Sequence, residues 1–290
     1  MVKVGHMDTY YTKPYGFEQG LAKMSEHGYA GIDYQGFLHT TTPLFEQDAR
    51  GFEAELKRQQ EIIKREGLVV YQTHGPWRHP PKDGTVEERE ERFEKMSRAI
   101  EGTAILGCNR MILHPIMPFS TRNEGNEKET YEMNLEFMNR ICKVANEYGV
   151  YICLENMPMK NFSISTVEET LAFVKEINDK YFRMCLDTGH CAAKGGNPAD
   201  AVRLLGKEYL YAMHVHDNDG DKDHHWSPFT GVIDWEAFGK ALHEIQYDGF
   251  ISLEVKRTAE ITEKDEKELF FKGKTIAEHA MGQYLSAQEK

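Results

Sequence analysis

No run of about 18 consecutive apolar residues occurs in the 290-residue chain, and its opening MVKVGHMDTYY lacks the charged and apolar regions of a secretory leader. A membrane-spanning segment is not expected, and a cytosolic location is. Cysteine is scarce: Cys108, Cys142, Cys153, Cys185 and Cys191 form no CxxC pair, and an odd count scattered over apolar segments suits reduced thiols. Positive charge is short as well, since 35 Lys and Arg against 47 Asp and Glu leave a net charge of -12. Such a field repels phosphate backbones, so nucleic acid is a disfavoured partner. The chain also lacks an internal repeat, a low-complexity linker, a Gly-rich phosphate loop and a nicotinamide fingerprint, and no nucleotide cofactor is expected.

What remains is a chain with 40% hydrophobic residues, long enough to bury a sizeable core as one domain over 1–290. Short apolar runs at 2–7, 30–35, 68–75, 110–115, 150–156, 182–190, 210–217 and 249–255 read as strands. Between them lie amphipathic stretches, including 49–65, 86–106, 128–148, 167–177, 235–245 and 263–285, which read as helices. Thr85, Thr166 and Asp234 are placed to cap helix starts, and Gly67, Gly107 and Gly149 to end helices. Eight β-α units whose strands are apolar on both faces predict a closed parallel (β/α)8 TIM barrel. The longer loops, 40–48, 75–85, 115–127 and 218–233, all follow strands, on the face where such barrels carry their sites.

The strand ends are the informative positions. In order they are His6, Asp33, His74, His114, Glu155, Asp187, His214 and Glu254, each an ionisable residue where an apolar run meets its loop. Three carboxylates converging on one mouth would repel one another unless a cation neutralised them. Glu155, Asp187, His214 and Glu254 therefore predict a site for one divalent ion. Its oxygen-rich donors suit Mn²⁺ first, and Mg²⁺, Co²⁺, Fe²⁺ or Zn²⁺ as well.

The segments CLEN, CLDTGH, HVHDNDG with the following DHH, and SLEV, in that order, resemble the xylose isomerase-like TIM barrel superfamily. Within it they are similar to the sugar phosphate isomerase/epimerase group that includes ketose 3-epimerases. The resemblance implies a metal held by Glu155, Asp187, His214 and Glu254, with Glu155 and Glu254 flanking the substrate as acid/base pair. It places His190, in the Asp-x-x-His element begun by Asp187, near metal or substrate. Two departures stand out: Asn161 occupies the position of a second family glutamate, and Gly220 that of an arginine.

Endonuclease IV is a more distant relative with three zinc ions, and the resemblance offers His74, His114, His190, Asp223 and His225 as counterparts of its additional ligands. The same five residues serve equally as substrate contacts. The loops HTTTPLFEQD, HGPWRHPPKDG and DNDGDKDHHWSPFTG are mixed or acidic, whereas a DNA enzyme needs phosphate-tracking Lys and Arg, so sugar chemistry is preferred to cleavage of abasic DNA.

The expected chemistry is removal of a proton alpha to a carbonyl, with a metal stabilising the enediolate and a carboxylate on each side of the reacting carbon. Return of the proton to the opposite face gives an epimer, and return to the neighbouring carbon gives an aldose–ketose isomer. Loss of a beta substituent would make a dehydratase or lyase acting on keto-sugars or oxidised glycosides, and a non-catalytic sugar-binding barrel or enzyme subunit is a further alternative. The substrate expected is a sugar or sugar phosphate, and a homo-oligomer is compatible with the sequence. Among remaining candidates, His6 and Asp33 could reach substrate hydroxyls or serve structure. Trp77 offers an apolar wall for a sugar face. Arg257, beside Lys256, could meet a phosphate.

Overall fold

Apolar runs bounded by turn formers can be buried on both faces only in a sheet that is covered or closed. The computed structural model describes residues 2–80 and 82–283 and places eight strands in one sheet. They are β1 (Lys3–Met7), β2 (Gly31–Tyr34), β3 (Val69–His74), β4 (Arg110–Leu113), β5 (Tyr151–Glu155), β6 (Phe182–Asp187), β7 (Leu210–His214) and β8 (Phe250–Leu253). The order is β7-β6-β5-β4-β3-β2-β1-β8, every pairing parallel. Just past β7 the ring closes: Val215 bridges Leu253, Val215 N donates to Ser252 O at 2.8 Å, and Glu254 N donates to Val215 O at 3.1 Å. The protein is a (β/α)8 TIM barrel.

Among the described residues ten α-helices surround it: α1 (Thr9–Tyr15), α2 (Phe17–His27), α3 (Ala49–Arg65), α4 (Val86–Ile105), α5 (Glu127–Tyr148), α6 (Val167–Ile177), α7 (Thr188–Ala193), α8 (Pro198–Tyr209), α9 (Trp235–Glu244) and α10 (Glu263–Ala280). Thr85 and Thr166 form full capping boxes with Glu88 and Glu169, and Asp234 accepts from Ala237 N. Each such cap is worth about 1 kcal/mol. Gly149 ends α5 in the left-handed region, at φ 67°, and Gly67 and Gly107 follow α3 and α4 at φ 73° and 75°.

Three boundaries differ from the sequence expectation by three residues or more; one is the run 210–217, where β7 stops at His214. The run 182–190 splits, because the Asp187 carboxylate accepts from His190 N at 2.6 Å and starts α7 immediately after the strand. The last helix ends at Ala280 rather than 285, and residues 284 and 285 lie outside the described residues. No helix among the described residues is long and apolar enough to cross a membrane.

The floor of the barrel carries Tyr71, Phe250 and Arg110, the last donating to Tyr211 O at 2.9 Å. Above them Gln72, buried, donates to Asp33 and to Met213 O. This interior is filled, so a ligand can enter only at the mouth. All five cysteines are free and buried.

Candidate metal centre

Parallel neighbours in register bring successive strand ends together, and that is how residues 100 positions apart come to share a site. Glu155, Asp187, His214 and Glu254 offer four ligand atoms that all lie within 4.8 Å of one another. His214 Nδ1 stands 3.0 Å from Glu155 Oε1 and 3.1 Å from Glu254 Oε2. The opposite ring nitrogen, Nε2, donates to Asp33 Oδ2 at 2.9 Å. Asp33 also accepts from the amides of Gln35, at 2.8 Å, and Gln72, at 2.9 Å, so this carboxylate is fixed from three sides. It thus backs His214 instead of facing the mouth. A carboxylate behind a histidine fixes the tautomer and orientation that a metal ligand needs.

Two further donor groups adjoin the first, besides a group of Glu155, Cys185 and His214 that overlaps it. His74, His114 and Glu155 form one. His74 Nδ1 donates to Gly75 O at 2.9 Å, which leaves Nε2 facing His114 Nε2 at 3.3 Å and Glu155 Oε2 at 3.7 Å. His190, His216, Asp223 and His225 form the other. His190 Nδ1 donates to Asn156 O and His225 Nδ1 to Glu254 O, both at 2.9 Å, while each Nε2 faces Asp223 Oδ2. His216 Nε2 meets Asp187 Oδ2 at 3.0 Å. Glu155 therefore belongs to the first two groups through its two oxygens, and Asp187 joins the first to the third. Each pinned histidine turns its second ring nitrogen toward a carboxylate, and that nitrogen becomes a metal donor once its proton is released.

His216 was not among the sequence candidates. It lies two residues beyond His214, and in extended backbone that spacing puts both side chains on one face. The alternation in HVHD carried this signal. Beside it, Gly189 packs so closely that an added Cβ would stand 2.0 Å from the His216 ring.

Charge in this cluster is balanced by protons. Burial disfavours the Glu155 carboxylate, but His214 and His114 hold its pKa well below the usual range. Glu254 goes the other way, pushed up by burial, with Glu155 and Asp187 nearby reinforcing the shift. Burial opposes the imidazolium forms of His190 and His225, yet neighbouring carboxylates raise them to about 10 and about 9. His114, where burial wins over Glu155, falls to about 4.

A pH prediction follows from these signs. Stabilisation from the raised His190 and His225 is fully present below the unfolded value of 6.5 and is lost as pH climbs through about 9 to 10. Stabilisation from the depressed Glu155 and Asp187 is present above their unfolded values of 4.5 and 3.8 and is lost as pH falls through the lower folded ones. The Tm of chelator-treated protein should therefore fall between pH 6.5 and 10, and a saturating divalent ion, which replaces the protons, should flatten that fall. A flat alkaline limb without metal would refute the protonated cluster.

Over the donors lies a cavity of about 300 Å³ lined by Gln35, Leu38, His74, Trp77, His114, Glu155, Met157, Pro158, Met159, His190, Asp223, His225 and Glu254. Trp77 lies against His114, with ring centroids 5.9 Å apart. A larger cavity of about 450 Å³ lies behind His190, toward Cys191 and the start of α8, and holds no second donor group.

The remaining sequence candidates lie elsewhere. His6 is fully buried, donates to Met7 O and packs on Tyr10 with centroids 4.5 Å apart. Asn161 bonds Glu124 on an exposed loop, outside the cavity lining. Arg257 lines a separate, adjoining cavity.

Residues 21–276 match the model of the family described as xylose isomerase-like TIM barrel. The chain belongs to this family. Within it, the chain is 34% identical over 172 residues to an uncharacterized protein of Methanocaldococcus jannaschii, the match covering 58% of each. It is 29% identical over 143 residues to the D-psicose 3-epimerase of Ruminiclostridium cellulolyticum, covering 49% of this chain and 47% of that enzyme. The matches thus span about half the length of these relatives. A crystal structure of a D-tagatose 3-epimerase-like protein superposes with a TM-score of 0.75 at 25% identity, covering 97% of both chains.

Asp33 yields a second prediction. Asp33→Asn should weaken divalent-metal affinity about 10- to 100-fold, because His214 Nε2 exchanges a charged acceptor for a weaker neutral amide. Competition with a fluorescent chelator measures it, and unchanged affinity would remove Asp33 from the site.

Proposed function

We propose that this protein is a divalent-metal-dependent isomerase or epimerase of sugars, with Glu155 and Glu254 as its acid/base pair. The observation that carries this reading is a pair of glutamates meeting one ligand nitrogen, His214 Nδ1, from two strands, their pKa values shifted in opposite directions. Carboxylates pushed apart in this way divide the roles of base and acid.

Glu155, Asp187, His214 and Glu254 would hold the ion. When bound, a divalent cation supplies positive charge that acidifies a proton alpha to a carbonyl. The protein does the rest: one glutamate takes the proton from the substrate carbon, and the other delivers one to its opposite face. Leu38, Trp77, Met157 and Met159 give the cavity an apolar wall suited to the C–H face of a sugar and keep bulk water from that carbon. His74, His114 and His190 line the same space and can bind hydroxyls. The relatedness to D-psicose 3-epimerase supports the substrate class.

The test is elemental analysis of gently purified protein together with deuterium uptake from heavy water into a panel of ketoses. About one divalent ion per chain and stereospecific exchange are expected; no exchange in any metal-loaded form overturns the proposal.

One observation favours a second reading. The three donor groups are contiguous, sharing Glu155 and Asp187, as a zinc phosphodiesterase resembling endonuclease IV requires. Three zinc ions per chain with nicking of abasic-site DNA would establish it.

A further inference from the structure

The cavity that Arg257 lines opens beside the metal donors. It measures about 370 Å³ and is bounded by Met7, Thr9, Tyr10, Lys13, His225, Glu254, Lys256 and Arg257. His225 and Glu254 also line the cavity over the donors, so the two spaces share a wall. Three cations therefore converge on a recess next to one of the two proposed acid/base groups, in a chain whose net charge is -12.

The cations differ in how they are held. Arg257 is fixed from behind: Nη1 donates to Glu266, which is fully buried, and the guanidinium lies 5.1 Å from the Tyr10 ring and 5.5 Å from that of Tyr15. Lys13 and Lys256 are exposed and make no ion pair within 4 Å among the described residues. Other mouth cations are already engaged. Lys160 pairs with Asp221, and Arg78 with Asp83 and Glu91. A neutral sugar end would be met best by amides, hydroxyls and carboxylates; a fixed guanidinium flanked by two free ammonium groups fits an anion. Positive charge concentrated on one side of the mouth suits a single terminal anion better than a polyanion laid across it.

We propose that this recess binds the phosphate monoester of a sugar phosphate, with the reacting carbons over Glu155 and Glu254. The proposal rests on the isomerase reading for its chemistry but not for its binding site. Two measurements on the metal-loaded protein separate the two ideas. Calorimetric titration with D-fructose 6-phosphate, D-fructose and inorganic phosphate, in wild type and in Lys13→Ala/Lys256→Ala, reads binding at the recess separately from exchange. Deuterium exchange compares D-fructose 6-phosphate with D-fructose.

The phosphorylated ketose should bind at least tenfold more tightly than the free one, and the double variant should erase about 10- to 100-fold of its affinity, the weight of one or two charge-assisted contacts. The kcat/KM ratio of phosphorylated to free ketose should fall by the same factor, through KM. Both substituted lysines are exposed, so the fold should tolerate the change, and circular dichroism checks it. Arg257→Lys, which keeps the charge but loses the planar fork, should give a smaller loss. Binding without exchange would leave the recess standing and overturn the isomerase reading. Equal binding of the two ketoses, or equal loss for both in the variant, overturns the phosphate site.

Discussion

Glu254→Gln should lower turnover by about two to four orders of magnitude, the usual contribution of one general acid or base. The isosteric amide keeps the shape of the mouth but cannot exchange a proton. Glu155→Gln should lose at least as much and also weaken metal binding, because its two oxygens serve both His214 and the His74–His114 pair. The double variant should be little worse than the poorer single one, since proton removal and proton return are successive steps of one turnover and both groups act as a unit. Retained exchange in Glu254→Gln with metal content intact would remove Glu254 from acid/base work and leave it a ligand only. Deuterium exchange and elemental analysis on the same samples distinguish these cases.

The largest effect on stability is expected at Asp83, which belongs to none of the metal-donor groups. Asp83 is 1% exposed and accepts from Arg92, which is 2% exposed, and from Arg78. Arg92 is among the largest buried side chains of the protein, and its charge faces this carboxylate. Asp83→Ala leaves that guanidinium buried without its partner, a change costing about 3–5 kcal/mol. At about 2–4 °C per kcal/mol for chains of this size, Tm should drop by roughly 6–20 °C. The left-handed backbone at Asp83, φ 72°, adds to the cost, since alanine tolerates it less well than aspartate does. The same loop carries Trp77, so substrate affinity should fall along with Tm. A Tm change under 2 °C would mean that water reaches Arg92.

The fold was legible because the barrel repeats one simple signal, and strand ends such as Glu155 and Asp187 show where apolar runs stop. The convergence of Glu155, Asp187, His214 and Glu254 was readable from that pattern, and Trp77 lines the cavity above them. Other features depend on packing that no local pattern carries. Asp33 sits at a strand end like the others, yet its amide partners Gln35 and Gln72 turn it behind His214. His6 likewise ends up under Tyr10, because α1 folds back over the strand. The break at Asp187 escaped period reading because a single cap, its carboxylate on His190 N, decides where the strand yields to a helix. Lys13 joined Lys256 and Arg257 only through tertiary closure, across more than 240 residues of chain.

Glu155 and Asp187 end adjacent, paired strands; Glu155 is shared among overlapping donor groups, and Asp187 belongs to one group and bonds His216 of another. A one-residue insertion in either strand would turn its carboxylate to the opposite face and disturb two groups at once. The loops after β2 and β4 carry no such double duty. Substrate range in this barrel should therefore be alterable by grafting rim loops, whereas the lengths of β5 and β6 are fixed as firmly as the residues at their ends.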